Sequence, residues 1–245
     1  MFRVNLLYFF IIGMMISPLF AEEEEAETPP AWDSSLYGGF SASRGNTDED
    51  AYKYGGKFEK KYGNKYHYLT RIDGRYRKTN DEVTDSKLEA SAEIRRLITE
   101  KWFSSYTLSG LHDDLRDIRY RIETGPGIGY YFVNREDLSA DVSTGLVYVR
   151  ERSDDGTSDT AAWRLAQEFK WQITETLDLW TSSEWVMEIP DPADYTISCK
   201  AGINNEINHH LSLMVMVENK YENQPDSDDV DKNDFEFTTG LRYTF

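Results

Sequence analysis

Cysteine, histidine and long apolar runs are all scarce in this chain, and each scarcity closes a class of function. The single cysteine, Cys199, leaves no intrachain disulfide framework, so it reads as a small apolar wall residue. There are four histidines but no HExxH pattern and no Cys/His cluster, which removes the common zinc chemistries, and no cofactor motif replaces them. His209 and His210 are consecutive, and neighbouring strand residues point to opposite faces, so they do not grip one ion together. Beyond the N-terminus no segment approaches the roughly 18 consecutive apolar residues of a membrane-crossing helix. That excludes a helical membrane protein but not a barrel, whose strands need an apolar residue only at every second position. Basic residues are the minority sign, 27 against 44 acidic for a formal net charge of -17, so nucleic acid is excluded as a partner because its phosphates would be repelled.

What is present begins with residues 1–21. They carry one charge, Arg3, then an apolar run from Leu6 to Ile16, and end at Ser17-Pro18-Leu19-Phe20-Ala21 before four glutamates. The run is too short for a bilayer, which needs roughly 20 residues, and has the layout of a secretory signal peptide cut after Ala21. Its removal takes away one arginine and no acid, leaving the mature chain one unit more negative. Residues 22–33, with the glutamate run and Pro29-Pro30, read as an acidic, solvated lead-in.

From residue 34 to residue 245 the chain divides into stretches of period-two alternation, at about 34–43, 51–62, 65–77, 85–97, 101–111, 118–132, 138–149, 161–173, 177–189, 195–205, 211–221 and 234–245. In the third, Tyr66, Tyr68, Thr70, Ile72 and Tyr76 alternate with His67, Leu69, Arg71, Asp73, Arg75 and Arg77; in the eleventh, Leu211, Leu213, Val215 and Val217 alternate with Ser212, Met214, Met216, Glu218 and Lys220. Phase is ambiguous in the fifth, where Trp102 and Phe103 are adjacent. The last stretch places Phe237, Leu241, Tyr243 and Phe245 on one face and stops at an aromatic residue, the pattern of a closing strand and of a signal read by barrel assembly machinery. Aromatic residues sort into two levels, with Tyr62, Tyr66, Tyr130, Phe132, Trp171, Tyr243 and Phe245 at one end and Tyr52, Tyr76, Tyr120, Tyr148, Trp163, Trp185, Tyr195 and Tyr221 at the other. The implied fold is all-β: a transmembrane antiparallel barrel of about twelve strands. Short turns lie on the side of the termini, and longer acidic connections, each of net charge -1 to -5, lie on the other.

In this phase the lumen is charged in sectors. Lys53, Lys57, Arg71 and Arg75 make the second and third strands basic, whereas Glu184, Glu218 and Glu236 contribute to an acidic wall over the ninth to twelfth. The expectation is a narrow or plugged interior with opposite charges facing each other, since twelve strands lie between the filled eight-stranded barrel and the open channels of sixteen or more. Asp226, Asp228, Asp229 and Asp231 form a candidate divalent-cation loop that would bridge the rim to lipopolysaccharide, although the glycine and terminal glutamate of an EF-hand are missing. Gly125-Pro126-Gly127-Ile128-Gly129 precedes no helix and is read as a close backbone approach rather than a nucleotide loop. One catalytic alternative is an outer-membrane lipid hydrolase in which Ser86 and His112, near-opposite across the fourth and fifth strands, form a nucleophile–base pair. A soluble periplasmic binding barrel is a second alternative.

Ser43-Arg44-Gly45-Asn46-Thr47, Asp117-Ile118-Arg119-Tyr120-Arg121 leading into Gly125-Pro126-Gly127-Ile128-Gly129-Tyr130, and Asp234 followed by Thr239-Gly240-Leu241-Arg242-Tyr243-Thr244-Phe245 together resemble the YdiY-like family of salt-induced outer-membrane proteins, over roughly residues 32–245. The resemblance implies an outer-membrane location and a link to osmotic tolerance in a family of largely unknown biochemical function, and it brings no catalytic residues. The expected task is a non-enzymatic channel for ions or small solutes, or an envelope component, in contact with outer-membrane lipids. The mature protein is therefore expected to fractionate with outer membranes and to migrate faster on a gel before boiling than after. Recovery in the soluble periplasm would contradict the barrel.

Overall fold

The computed structural model describes residues 32–43, 49–63, 65–80, 82–154, 156–225 and 232–245; residues 1–21 and all but the last two residues of the lead-in lie outside these. Its elements are β1 (Asp33–Ser43), β2 (Glu49–Tyr62), β3 (Tyr66–Thr79), β4 (Glu82–Leu97), β5 (Trp102–Asp113), β6 (Ile118–Asn134), β7 (Leu138–Ser153), β8 (Gly156–Gln172), β9 (Leu177–Glu188), β10 (Tyr195–Asn208), β11 (Leu211–Glu222) and β12 (Asn233–Thr244). Each strand pairs antiparallel with its chain neighbours and β1 pairs with β12, so the sheet closes on itself. Every strand expected from the alternation is present, because a barrel wall imposes the same two-residue period that the sequence carries.

Polarity is inverted relative to a soluble protein. Leu146, Phe237, Leu241, Phe132, Ile128 and Leu213 are exposed on the outside, while Lys53, Glu59, Glu93, Arg95 and Asp141 are buried within. A soluble binding barrel would carry the opposite arrangement. The aromatic levels form two belts. Toward one rim, ring centroids follow one another across β8 to β11, Trp163–Trp185 at 5.8 Å, Trp185–Tyr195 at 6.4 Å and Tyr195–Tyr221 at 6.1 Å. Toward the rim that holds the C-terminus, Trp102–Tyr130, Tyr130–Phe132 and Tyr243–Phe245 lie 5.1–5.3 Å apart. Amphipathic rings at two levels match the two interfaces of a bilayer.

The fifth strand's phase is settled by what faces it. Phe103 is fully buried in the lumen while Trp102 is 47% exposed outside. Phe103 fits inward because its register partner on β6 is Gly129, where a Cβ would stand 2.1 Å from the Phe103 ring. Gly125 and Gly145 have a related role between β6 and β7: a Cβ on Gly125 would meet the Leu146 carbonyl oxygen at 2.0 Å.

The connections differ from expectation in length. The β7–β8 ladder continues to the pair Ser153↔Gly156, and β3–β4 closes at Thr79↔Glu82, so two connections read as long reduce to two-residue turns. Asn80, at φ 51, takes the left-handed conformation that the first position of such a tight β3–β4 turn requires. The alternation hid this because beyond the membrane a strand needs no apolar face, and its ladder hydrogen bonds alone extend it. Connections 189–194 and 223–232 remain long.

The seam is the shortest pairing. β1 and β12 share five register pairs, Ser35↔Thr244 to Gly39↔Gly240, whereas β1 and β2 pair along all of β1 from Asp33↔Glu59 to Ser43↔Glu49. The Phe245 amide extends the seam by one bond, donating to the Ser34 carbonyl oxygen at 3.0 Å.

Gly129→Ala is expected to destabilise the barrel by about 1–3 kcal/mol through displacement of the Phe103 ring. Gly110→Ala, where nothing lies within 4 Å, is expected to leave stability unchanged. Urea titration of the compact gel form in detergent measures both, and equal midpoints would contradict the packing account.

Candidate functional site

The inward phase of the strands gathers Lys53 and Lys57 from β2, Arg71 and Arg75 from β3, Glu93 and Arg95 from β4, Glu168 and Lys170 from β8, Glu184 from β9, Lys200 from β10, Glu218 from β11 and Glu236 from β12. The seven lumen charges expected from the sequence are all among them. They are not free charges lining an open tube but members of ion-pair networks.

The first network spans the seam. Lys53 and Arg75 are register partners on β2 and β3, and Glu218 and Glu236 are register partners on β11 and β12. Lys53 Nζ lies 2.8 Å from Glu218 and 3.2 Å from Glu236, and Arg75 lies 3.0 Å from Glu236, 3.5 Å from Asp234 and 2.5 Å from Asp85. Between the two pairs runs β1, whose residue opposite Lys53 is Gly39. With no side chain there, the two cations reach over β1 to the two anions. The shortest ladder of the barrel is thus reinforced by an ionic clasp on its inner face, and Lys200 joins it at 3.2 Å from Glu218.

The second network crosses the lumen. Arg71 of β3 pairs with Glu168 of β8, five strands away around the twelve-stranded ring. Lys170 of β8 lies 3.7 Å from Glu59 of β2, six strands away and on the opposite wall. Arg95 sits at the centre of this layer, bound by Glu93 at 2.8 and 3.1 Å, by Asp141 at 3.2 Å and by Glu168 at 3.3 Å, with Tyr131 Oη at 3.3 Å and the Phe103 ring 4.9 Å beneath the guanidinium. Toward the other rim Arg121 pairs with Glu123 and Glu151, and Arg164 with Glu184.

Around these side chains lies a cavity of about 690 Å³ that touches residues of all twelve strands. It reaches from Asp33 and Thr244, at the rim of the termini, to Lys220 and Glu222, at the far rim. Between the long charged side chains its lining includes short ones on β5 to β8, Thr107, Ser109, Val147 and Ala166, which leave room beside them.

The sectors read from the sequence meet as expected where Lys53 and Arg75 contact Glu218 and Glu236. The cross-lumen anion, however, is Glu168 of β8 rather than a residue of β9 to β12, and Asp141 was missed altogether. Which strand faces which follows from closure, and strand alternation alone does not contain it. Leu241, Tyr243 and Phe245 lie on the outer wall, 46–65% exposed. Ser86 and His112 do not form the nucleophile–base pair. His112 stands opposite Leu88, and its ring nitrogens face the Arg119 carbonyl oxygen at 2.9 Å and Asp114 at 3.1 Å. Ser86 instead accepts the Asp114 amide through its backbone oxygen at 3.0 Å, because the β4–β5 register is shifted by one residue relative to a turn centred on residues 99–100. Asp226, Asp228, Asp229 and Asp231 lie outside the described residues.

A closed antiparallel sheet with an apolar wall, two aromatic belts and an ionic interior defines a transmembrane β-barrel. The chain belongs to the family described as protein of unknown function DUF481, whose profile matches residues 38–245. Among solved structures it is similar to the NanC porin, at 10% identity over 86% of this chain and 97% of that one with a TM-score of 0.49. It is also similar to the KdgM porin in complex with disordered oligogalacturonate, at 9% identity over 88% and 99% with a TM-score of 0.46. The translocator domain of the autotransporter NalP from Neisseria meningitidis gives 11%, 87%, 87% and 0.43 for the same measures. No curated protein matches the chain.

Arg95→Met is expected to cost about 3–5 kcal/mol, since it leaves Glu93, Asp141 and Glu168 buried without their shared cation. Arg71→Met is expected to cost less, because the Arg71 side chain is 36% exposed and Glu168 keeps Arg95. Urea midpoints in detergent rank the two; a larger loss for Arg71→Met would contradict the central place of Arg95.

Proposed function

We propose that this barrel resides in the outer membrane of a Gram-negative-type cell, is exported by a signal peptide cleaved after Ala21, and acts there as a narrow, non-enzymatic channel for ions and small solutes. The observation that carries the proposal is the cavity lined by residues of both rims, into which the paired side chains of Arg71 and Glu168 reach. An opening bounded by paired charges admits small hydrated ions and rejects bulky apolar solutes. The apolar wall, with aromatic belts and a terminal Phe245 on it, supports the membrane placement and recognition by barrel assembly machinery. The resemblance to salt-induced proteins favours a role in osmotic tolerance. On this reading the acidic loop at Asp226, Asp228, Asp229 and Asp231 recruits divalent cations that bridge the rim to anionic lipid.

Conductance of the purified protein in a planar bilayer tests the channel. Discrete steps are expected from the wild type. The double variant Arg71→Ala/Glu168→Ala removes both members of the cross-lumen pair without stranding either charge, so its unitary conductance is expected to rise. Arg71→Gln/Arg75→Gln is expected to move the reversal potential under a salt gradient toward cation selectivity. Silence of the wild type and of the widened variant, in a protein that still shows the compact gel form, would overturn the proposal.

A further inference from the structure

Along the outward face of β7, Leu146, Tyr148, Arg150 and Arg152 follow one another at two-residue spacing toward the rim remote from the termini. Leu146 and Tyr148 are 59% and 46% exposed, as lipid-facing residues are, and the two arginines lie beyond the belt. The alternate residues Val147 and Val149 are buried and Glu151 faces inward to Arg121, so both guanidinium groups stand on the outer wall. The β6 neighbours in register are Ile122, opposite Arg150, and Tyr120, opposite Arg152. Arg119, with its side chain 60% exposed, stands next to Tyr120. The β7–β8 ladder continues past the belt to Ser153↔Gly156, so the patch is carried on paired backbone.

Two of the three cations have exposed acidic partners: Arg119 meets Asp154 at 2.8 Å, and Arg150 meets Asp159 at 3.7 Å while also hydrogen-bonding the half-buried Tyr120. Exposed pairs of this kind bind weakly and exchange readily. Arg152 makes no ion pair among the described residues. Residues placed beyond the same belt on β9 and β12, Met187 and Asn233, are uncharged, and the connections at this rim are acidic, so a basic patch here is local.

We propose that Arg119, Arg150 and Arg152 form a docking site for the phosphate groups of an outer-leaflet glycolipid of the lipid A type. Guanidinium forks pair with phosphate oxygens in a bidentate manner that ammonium groups do not reproduce, and the site lies one step beyond the aromatic belt, where headgroup phosphates stand. The acyl chains then run down the wall over Leu146 and the rings of Tyr148 and Trp163. The proposal rests on the outer-membrane placement but not on conduction, so a silent barrel leaves it intact, whereas loss of outer-membrane fractionation removes it.

The test uses the full mature barrel in non-ionic detergent with EDTA, and native mass spectrometry with diphosphoryl lipid A, dephosphorylated lipid A and inorganic phosphate as separate probes. Wild type is expected to bind the diphosphoryl lipid about tenfold or more tightly than the dephosphorylated one, the scale of one or two charge-assisted hydrogen bonds. That preference is expected to vanish in R150Q/R152Q and to persist in part in R150K/R152K, with the compact gel form confirming the fold of each. Equal binding of the two lipids, or an unchanged preference in R150Q/R152Q, would overturn the site. So would displacement of the lipid by equimolar inorganic phosphate, which would mark a free-anion site, or lipid binding that appears only when magnesium is restored and survives R150Q/R152Q, which would assign it to bridging cations at the acidic rim.

Discussion

Everything in this barrel depends on the requirement that a backbone crossing lipid satisfy its own hydrogen bonds. An open sheet edge inside a bilayer leaves amide and carbonyl groups with no water to meet them, at a cost of several kcal/mol each. Closure of β1 on β12 is therefore the condition for the fold, and the seam, with five register pairs, is where that condition is most thinly met. Two features compensate. The Phe245 amide adds a bond to Ser34, and on the inner face Lys53 and Arg75 reach over Gly39 to Glu218 and Glu236. A side chain larger than hydrogen at position 39 would stand 2.6 Å from the Thr239 carbonyl oxygen, so the glycine both admits the clasp and permits the close approach of the strands.

Closure also decides the fate of the charges. A period-two wall that turns its apolar residues to lipid must turn its polar ones inward, and a twelve-stranded ring is narrow enough for long side chains to touch across it. Buried charges are tolerable only when paired, and here the pairs span five or six strands, as Arg71–Glu168 and Lys170–Glu59 do. The groups that brace the walls are consequently the groups that set the bore. Stability and permeation are coupled through the same residues, with Arg95, held by Glu93, Asp141 and Glu168, on the stability side of that balance. Short side chains between the charged ones, Thr107, Ser109 and Ala166 among them, leave space open.

Outside, the two rims differ in chemistry. At the rim of the termini, cations lie over rings: Lys60 over Trp32 at 5.3 Å, Arg96 over Tyr66 at 6.0 Å and Lys101 over Tyr130 at 6.0 Å. At the far rim the cations gather on β6 and β7, beyond the aromatic belt and on strands that outrun it. Strand length, which the membrane does not require at that height, is what gives this side its additional surface.

The sequence by itself determined the strand number, the outward face of nearly every strand, the two aromatic belts and most of the lumen charges, because all of these are consequences of a two-residue period that is local and repeats along the chain. It left Trp102 and Phe103 ambiguous, since two adjacent aromatics satisfy either phase, and only the absence of a side chain at Gly129 on the neighbouring strand turned Phe103 inward. It placed Ser86 almost opposite His112 when the true partner of His112 is Leu88, because register is set by turn and ladder geometry rather than by alternation. It read residues 150–159 as loop because strands beyond the bilayer lose the apolar signal while keeping their hydrogen bonds. Above all, it could name Arg71, Glu168 and Arg95 as residues of separate strands but not as one layer, and it did not reach Asp141. Their meeting is a property of curvature and closure, which place distant parts of the chain face to face across a common interior.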